Sequence, residues 1–303
     1  MKTPIILKII RLHIVVGGFL AFLVGALLAL VNNGTFILSR FIIGYIVVFL
    51  ADLSTHYGND YFDVEVDKYI ITRKFFSGSH LLVNNPDLRC LSKYISIALL
   101  FVSNILAIMT IILAGFPVDF FIIIFSASLV GWFYSAPPIR LVSRGLGEIA
   151  VALVTGFAIP SLGYLSIRGQ LDPIFVYLTI PFIMYGLGLS LSLHVSDIDV
   201  DRKGDKRNLA TRLGQYQIII LILTLMILAT LVFCVIAFLN IFSTFNFTMF
   251  ILFSLIPLIT GIIGFVDFIR KKEVNYSSTL NISALFIFNI LVILFLLVRM
   301  LVK

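Results

Sequence analysis

The chain has 303 residues, 60% of them hydrophobic and 12% charged, with a formal net charge of +7 and a mean hydropathy of +1.13. A soluble globular chain carries about 25% charged residues, so that class is excluded. The positive balance reads as membrane topology plus attraction to anionic headgroups or an anionic substrate, and no nucleic-acid partner is expected.

A hydrocarbon core about 30 Å thick takes about 20 residues of helix. Apolar stretches near that length follow in order at 13–31, 36–57, 93–114, 118–135, 146–165, 173–195, 216–240, 246–268 and 280–301. The period-two alternation of barrel strands is missing. The expected fold is therefore an all-α, polytopic bundle of nine transmembrane helices. No Pro/Gly/Ser-rich linker divides it, which makes residues 1–303 a single domain. The first stretch is long and lacks a small-residue cleavage site after it, so it is expected to stay as a span. Cys90 and Cys234 lie far apart without metal spacing and are read as two unpaired thiols.

Lys and Arg set the orientation, because they are retained on the cytoplasmic side. With a cytoplasmic N-terminus only Arg40, Arg168, Arg299 and Lys303 fall outside, and every other Lys and Arg falls inside. Three cytoplasmic loops are long or charged, near 58–92, 136–145 and 196–215, so chemistry is expected on that face of the cell membrane.

Within the first loop, "GNDYFDVEVD" (Gly58 to Asp67) places four acids in ten residues. Asn59, Asp63 and Asp67 share one helix face, with Asp60 beside them and Glu65 turned away. In the third loop Asp197 and Asp201 form a second stripe, while Asp199 points elsewhere. The runs echo each other: His56, Asn59, Asp63, Asp67 and His194, Asp197, Asp201, Asp205 have the same spacing. Such stripes can be solvated helix ends. They can also hold hard divalent cations, since Mg²⁺ takes one or two carboxylates together with substrate phosphates and waters. Basic residues come after both stripes, namely Arg73 and Lys74, then Arg202, Lys203, Lys206 and Arg207. Metal ions bridged by a diphosphate fit that arrangement better than a solvated surface or a cation pathway.

The middle loop, "YSAPPIRLVSRGLGE" (Tyr134 to Glu148), is kinked by Pro137 and Pro138. Arg140 and Arg144 stand at the membrane edge, where guanidinium forks can clamp phosphate or simply mark topology. "FSGSHLL" (Phe76 to Leu82) reads as a loop that can close over a ligand. His56 and His194 read as structural histidines or proton carriers.

"NDYFDVEVD" resembles the first Asp-rich signature of the UbiA-type intramembrane prenyltransferases, Asn-Asp-x-x-Asp-x-x-x-Asp. "DIDVDRKGDKRNLATRLG" (Asp197 to Gly214) resembles their second. Nine helices with signatures after the second and sixth is that family's arrangement. "NDYFD", the "SGS" after it and "PIRLVSRGLGE" are similar to the MenA branch, which prenylates 1,4-dihydroxy-2-naphthoate on the way to menaquinone. Two positions depart from that branch: Ser77-Gly78-Ser79 stands for Gly-Gly-Ser, and His194 stands where an acid is frequent.

The resemblance implies Mg²⁺ held by Asn59, Asp63, Asp67, Asp197 and Asp201, bridging a polyprenyl diphosphate. It implies Arg73, Lys74, Arg140, Lys203 and Lys206 neutralising that diphosphate, and Tyr134 near the allylic carbon. Asp63, Asp67, Asp197, Asp201 and Tyr134 would be the catalytic set. The partners are then a polyprenyl diphosphate, an aromatic acceptor and membrane lipid. Other acceptors, geranylgeranylglyceryl phosphate or a porphyrin among them, and a secondary transporter of another class stay as alternatives.

Overall fold

In the computed structural model the described residues are 9–69, 81–242, 245, 247–271 and 273–302, and among them there is no strand. The elements, in chain order, are α1 (Leu12–Val31), α2 (Leu38–Phe62), α3 (Val64–Asp67), α4 (Leu81–Asn84), α5 (Arg89–Ala114), α6 (Val118–Ser135), α7 (Gly147–Leu153), α8 (Ile159–Arg168), α9 (Pro173–Val195), α10 (Ile198–Lys203), α11 (Leu209–Leu213), α12 (Gln215–Phe238), α13 (Thr248–Lys271) and α14 (Asn275–Val302). A π turn over Val154–Ala158 joins α7 to α8.

Among the described residues nine helices are long and apolar enough to cross a membrane, with the α7–α8 pair (Gly147–Arg168) counting as one. The fold matches the all-helical bundle expected from hydropathy. Several boundaries extend further, most of all the third span, which begins at Pro86, then the second, which ends at Phe62, and the ninth, which begins at Asn275. Polar residues such as Asp87, Arg89 and Lys93 continue the helix into the headgroup region, where hydropathy no longer marks it.

In lipid, helices associate through close packing and interhelical hydrogen bonds instead of the hydrophobic effect. Between α2 and α5, Ser103 Oγ donates to the Val47 carbonyl (2.8 Å), Ser96 Oγ to that of Ser54 (2.7 Å) and Ser92 Oγ to that of Tyr57 (2.9 Å). Where α1 crosses α8, a Cβ on Gly25 would sit 1.9 Å from the Pro160 carbonyl oxygen, and one on Gly163 2.0 Å from that of Phe22. Only glycine allows this approach. At the end where α1 finishes, Asn32 Nδ2 and the Tyr164 hydroxyl each donate to Asp172 (2.8 Å), and Arg168 Nε joins them at 3.0 Å.

One apolar cluster fills the space among α1, α8, α9 and α12–α14, around Phe175, Phe233, Phe250 and Phe288. Another, around Phe22, Val47, Phe120 and Leu162, joins α1, α2, α6 and α8. Both border a central cavity.

Candidate active site

Both acidic stretches sit where a membrane helix breaks. α2 stops at Phe62, Asp63 takes φ −91°, ψ 3°, and α3 resumes with Val64. α9 stops at Val195, Asp197 takes φ −112°, ψ 8°, and α10 resumes with Ile198. The unbroken stripes expected from spacing are therefore bent at their acids. α3 and α10 meet closely: a Cβ on Gly204 would be 2.7 Å from the Val66 side chain.

The two stretches join through Lys206, whose Nζ donates to Asp63 Oδ2 at 2.9 Å. Burial works against this ammonium, but the charges of Asp63 and Asp201 outweigh it and hold its pKa above the usual lysine range. Asp201 is buried, and its carboxyl is pushed up chiefly by burial. Its Oδ2 accepts from Asn208 Nδ2 at 2.5 Å. Asp67 is buried too; burial, then the negative charges of Asp63 and Asp60, push its pKa up to about 7. Asp63 Oδ1 is buried with no hydrogen-bond partner.

These groups form one end of a cavity of about 680 Å³. Asn59, Asp63, Asp67, Tyr134, Asp197, Asp201, Lys203 and Lys206 all line it, which places eight of the sequence-derived candidates together. Beyond that end the walls turn apolar, with Val48, Ile124, Leu162, Phe182 and Phe288 among them. Arg140 is exposed and is not among the lining residues, and its left-handed backbone (φ 46°) starts the Leu141–Arg144 turn. Arg144 Nη2 donates to the Pro138 carbonyl of the same loop (2.9 Å). Arg73, Lys74 and the Phe76–His80 part of the "FSGSHLL" stretch lie outside the described residues.

His194 Nδ1 lies 2.9 Å from the Ser190 carbonyl, which can only accept, so Nδ1 carries the proton. In the neutral ring Nε2 then accepts from the Tyr134 hydroxyl 3.3 Å away.

Four further groups were not singled out from the sequence. Arg11 forms an ion pair with the buried Asp60. Glu148, fully buried, accepts the backbone N–H groups of Leu209 (2.8 Å) and Ala210 (3.3 Å) through Oε1, fixing the turn that carries Asn208. Asp52 lines the cavity within α2. An ionisable residue inside an apolar span is itself the available signal, and it applies to Asp52 and Glu148; the partners of Glu148 and Asn208 are remote in sequence and leave none.

The sequence profile of the UbiA prenyltransferase family matches residues 19–290. A UbiA homologue from Archaeoglobus fulgidus, solved bound to DMAPP and Mg²⁺, is similar in fold, with a TM-score of 0.72 at 18% identity, covering 99% of this chain and 100% of that one. A digeranylgeranylglyceryl phosphate synthase structure gives a TM-score of 0.68 at 17% identity, covering 99% and 98%. An apo UbiA homologue from Aeropyrum pernix K1 gives 0.67 at 14%, covering 96% and 98%. No curated protein sequence matches the chain.

Proposed function

Because this chain belongs to the UbiA prenyltransferase family, we propose that it moves a polyprenyl group from its diphosphate to an aromatic acceptor, 1,4-dihydroxy-2-naphthoate, as in the MenA branch. The observation that carries the reading is the junction of the two acidic stretches through Lys206 at the mouth of an apolar chamber. The naphthoate assignment rests on the "NDYFD" and "PIRLVSRGLGE" stretches. The reaction takes place at the cytoplasmic face of the cell membrane, a placement supported by the Lys and Arg bias toward the end that bears both stretches.

The donor set suits Mg²⁺. Asn59, Asp63, Asp67, Asp197 and Asp201 offer oxygen only, and Asp63 Oδ1 is buried without a partner. Among the described residues no three acids, histidines or cysteines group closely enough to hold an ion by themselves, so phosphate and water would have to complete the shell. When bound, the ion supplies charge neutralisation to the leaving diphosphate.

The chain's own groups do the rest. Lys206 and Lys203 offer ammonium donors to diphosphate oxygens, and negative charge growing there as the allylic C–O bond breaks is met by positive charge already in place. The apolar walls keep water from the carbocation until the acceptor carbon reaches it. Tyr134 sets a π face and a hydroxyl at the boundary between rim and chamber, held by His194. His194 or an acid of the second stretch receives the proton released on rearomatisation.

The test is the purified, reconstituted protein with Mg²⁺, farnesyl or geranylgeranyl diphosphate and a panel of acceptors, read by mass spectrometry. The expected product is the prenylated dihydroxynaphthalene, with its carboxylate kept or released as CO₂, which air then oxidises to the prenylated naphthoquinone that is read. Ether-lipid product with no naphthoquinone overturns the acceptor, and solute flux without Mg²⁺-dependent diphosphate release overturns the enzyme reading of this site.

A further inference from the structure

The cavity holds a second polar site that the diphosphate chemistry leaves unused. Asp52 and His56 lie one helical turn apart on α2, well inside the membrane-spanning segment, and both line the chamber. The His56 ring is buried, at 6% side-chain exposure, and its Nε2 has no hydrogen-bond partner. The Asp52 carboxylate is 3.4 Å away, out of line for a hydrogen bond, with 24% side-chain exposure. Across from it α1 presents Gly18, where a Cβ would stand in ordinary contact 3.5 Å from Asp52 Oδ2, and the carboxylate lines the cavity.

Ionisable groups are costly at this depth and are found facing water-filled or functional cavities. A prenyl tail gains nothing from them, since covering a carboxylate with hydrocarbon removes its solvation without replacement. A ligand group that donates hydrogen bonds supplies what they lack. Asp52, His56, Asn59 and Asp63 succeed one another at spacings of four, three and four along one helix face. At about 1.5 Å per residue, His56 therefore stands about 4.5 Å and Asp52 about 10 Å further along the helix than Asn59. An acceptor with its reacting carbon near the diphosphate can extend a hydroxyl to this point. A carboxylate or phosphate extended there would meet the charge of Asp52.

Resting on the prenyl-transfer reading, we propose that Asp52 and His56 form the acceptor subsite, taking a phenolic hydroxyl of the aromatic acceptor and orienting its ring toward the prenyl carbon. They bind and position; the bond-breaking groups are those at the rim.

The experiment is steady-state kinetics of the reconstituted full chain with Asp52→Asn and His56→Gln, using 1,4-dihydroxy-2-naphthoate and analogues lacking one hydroxyl. Folding is checked by the thermal shift that prenyl diphosphate produces. Each substitution is expected to raise acceptor KM at least tenfold with prenyl diphosphate KM within twofold, and one mono-hydroxy analogue is expected to lose most of that penalty. Unchanged acceptor KM, a parallel rise in both KM values, or an equal penalty with every analogue overturns the subsite. If wild-type protein uses no naphthoate, the naphthoate assignment fails separately. The same ratios are then read with whichever phenol is prenylated, and turnover of glyceryl phosphate acceptors alone overturns the subsite as well.

Discussion

The stretch beginning at His56 and the stretch beginning at His194 share their spacing, and both lie at a broken membrane helix, yet their last acids end in opposite surroundings. Asp67 is 8% exposed. The Asp205 side chain is 84% exposed and pairs with Arg207 at 3.2 Å. The cause lies in the residues after each break. α3 ends on Asp67 while still packed against the site, whereas α10 runs into Gly204, and Asp205 adopts a left-handed backbone (φ 53°) that turns the chain back. That reversal sends Lys206 inward to Asp63. The first stretch thus contributes acids and the Asn59 amide but no cation, and the second contributes two acids and the cation that answers them.

The sharpest way to break this picture is to remove one acid from each stretch. Asp63→Ala and Asp197→Ala are each expected to lower turnover by about 1000-fold or more, the upper range for loss of a preorganised electrostatic group, with the protein still folded and inserted by size exclusion; Asp63→Ala, which leaves Lys206 without its partner, should also melt below wild type. Near-normal diphosphate release from either variant would show that the stretches do not act together.

Lys206→Met comes next. Removing one partner of a fully buried ion pair costs about 3–5 kcal/mol; this pair is only partly buried, so the cost is smaller. The metal-free variant should still melt below wild type, and turnover should fall about 100-fold with a diphosphate contact gone. Asp63 and Asp201 then face each other without an intervening cation, and Mg²⁺ should raise the melting temperature of the variant more than that of wild type. An equal Mg²⁺ shift in the two proteins would place the metal away from Lys206.

Glu148→Ala acts on the second stretch alone. It strands the Leu209 and Ala210 N–H groups, and each buried unsatisfied donor costs about 1–3 kcal/mol. The turn holding Asn208 against Asp201 loosens. Turnover about tenfold lower is expected, with Glu148→Gln recovering most of it because its amide oxygen still accepts. No recovery with Gln would mean that the charge of Glu148, and not its hydrogen bonds, matters.

The helical bundle was legible because long apolar runs leave few alternatives in lipid. Of the eight candidates that line the cavity, Asp63, Asp67, Asp197 and Asp201 are conspicuous as acids beside apolar helices, Asn59, Lys203 and Lys206 stand out by their spacing from them, and Tyr134 is implied by the family resemblance alone. The connections were not legible. Asp63 meets Lys206 and Glu148 meets Leu209 only through tertiary packing, and periodicity carries no information about partners on other helices. The charge of Arg140 and its place at the membrane edge suggest a phosphate clamp, but its backbone turns at the start of a short helical turn, and the residue is exposed outside the cavity lining. Asp52 stands alone in its span and belongs to no cluster or spaced motif of acids.

The smallest expected effect is the one that isolates the asymmetry. Asp205→Asn removes a carboxylate at the position equivalent by spacing to Asp67, and Asn tolerates the left-handed backbone that the turn requires. The Arg207 pair it breaks is exposed and contributes little. Turnover within twofold of wild type is expected. Asp67→Asn, the matching change in the first stretch, alters a buried group at the cavity wall and should cost at least tenfold. Comparable losses from the two variants would restore the symmetry suggested by spacing and argue that the Asp205 turn folds inward when substrate binds.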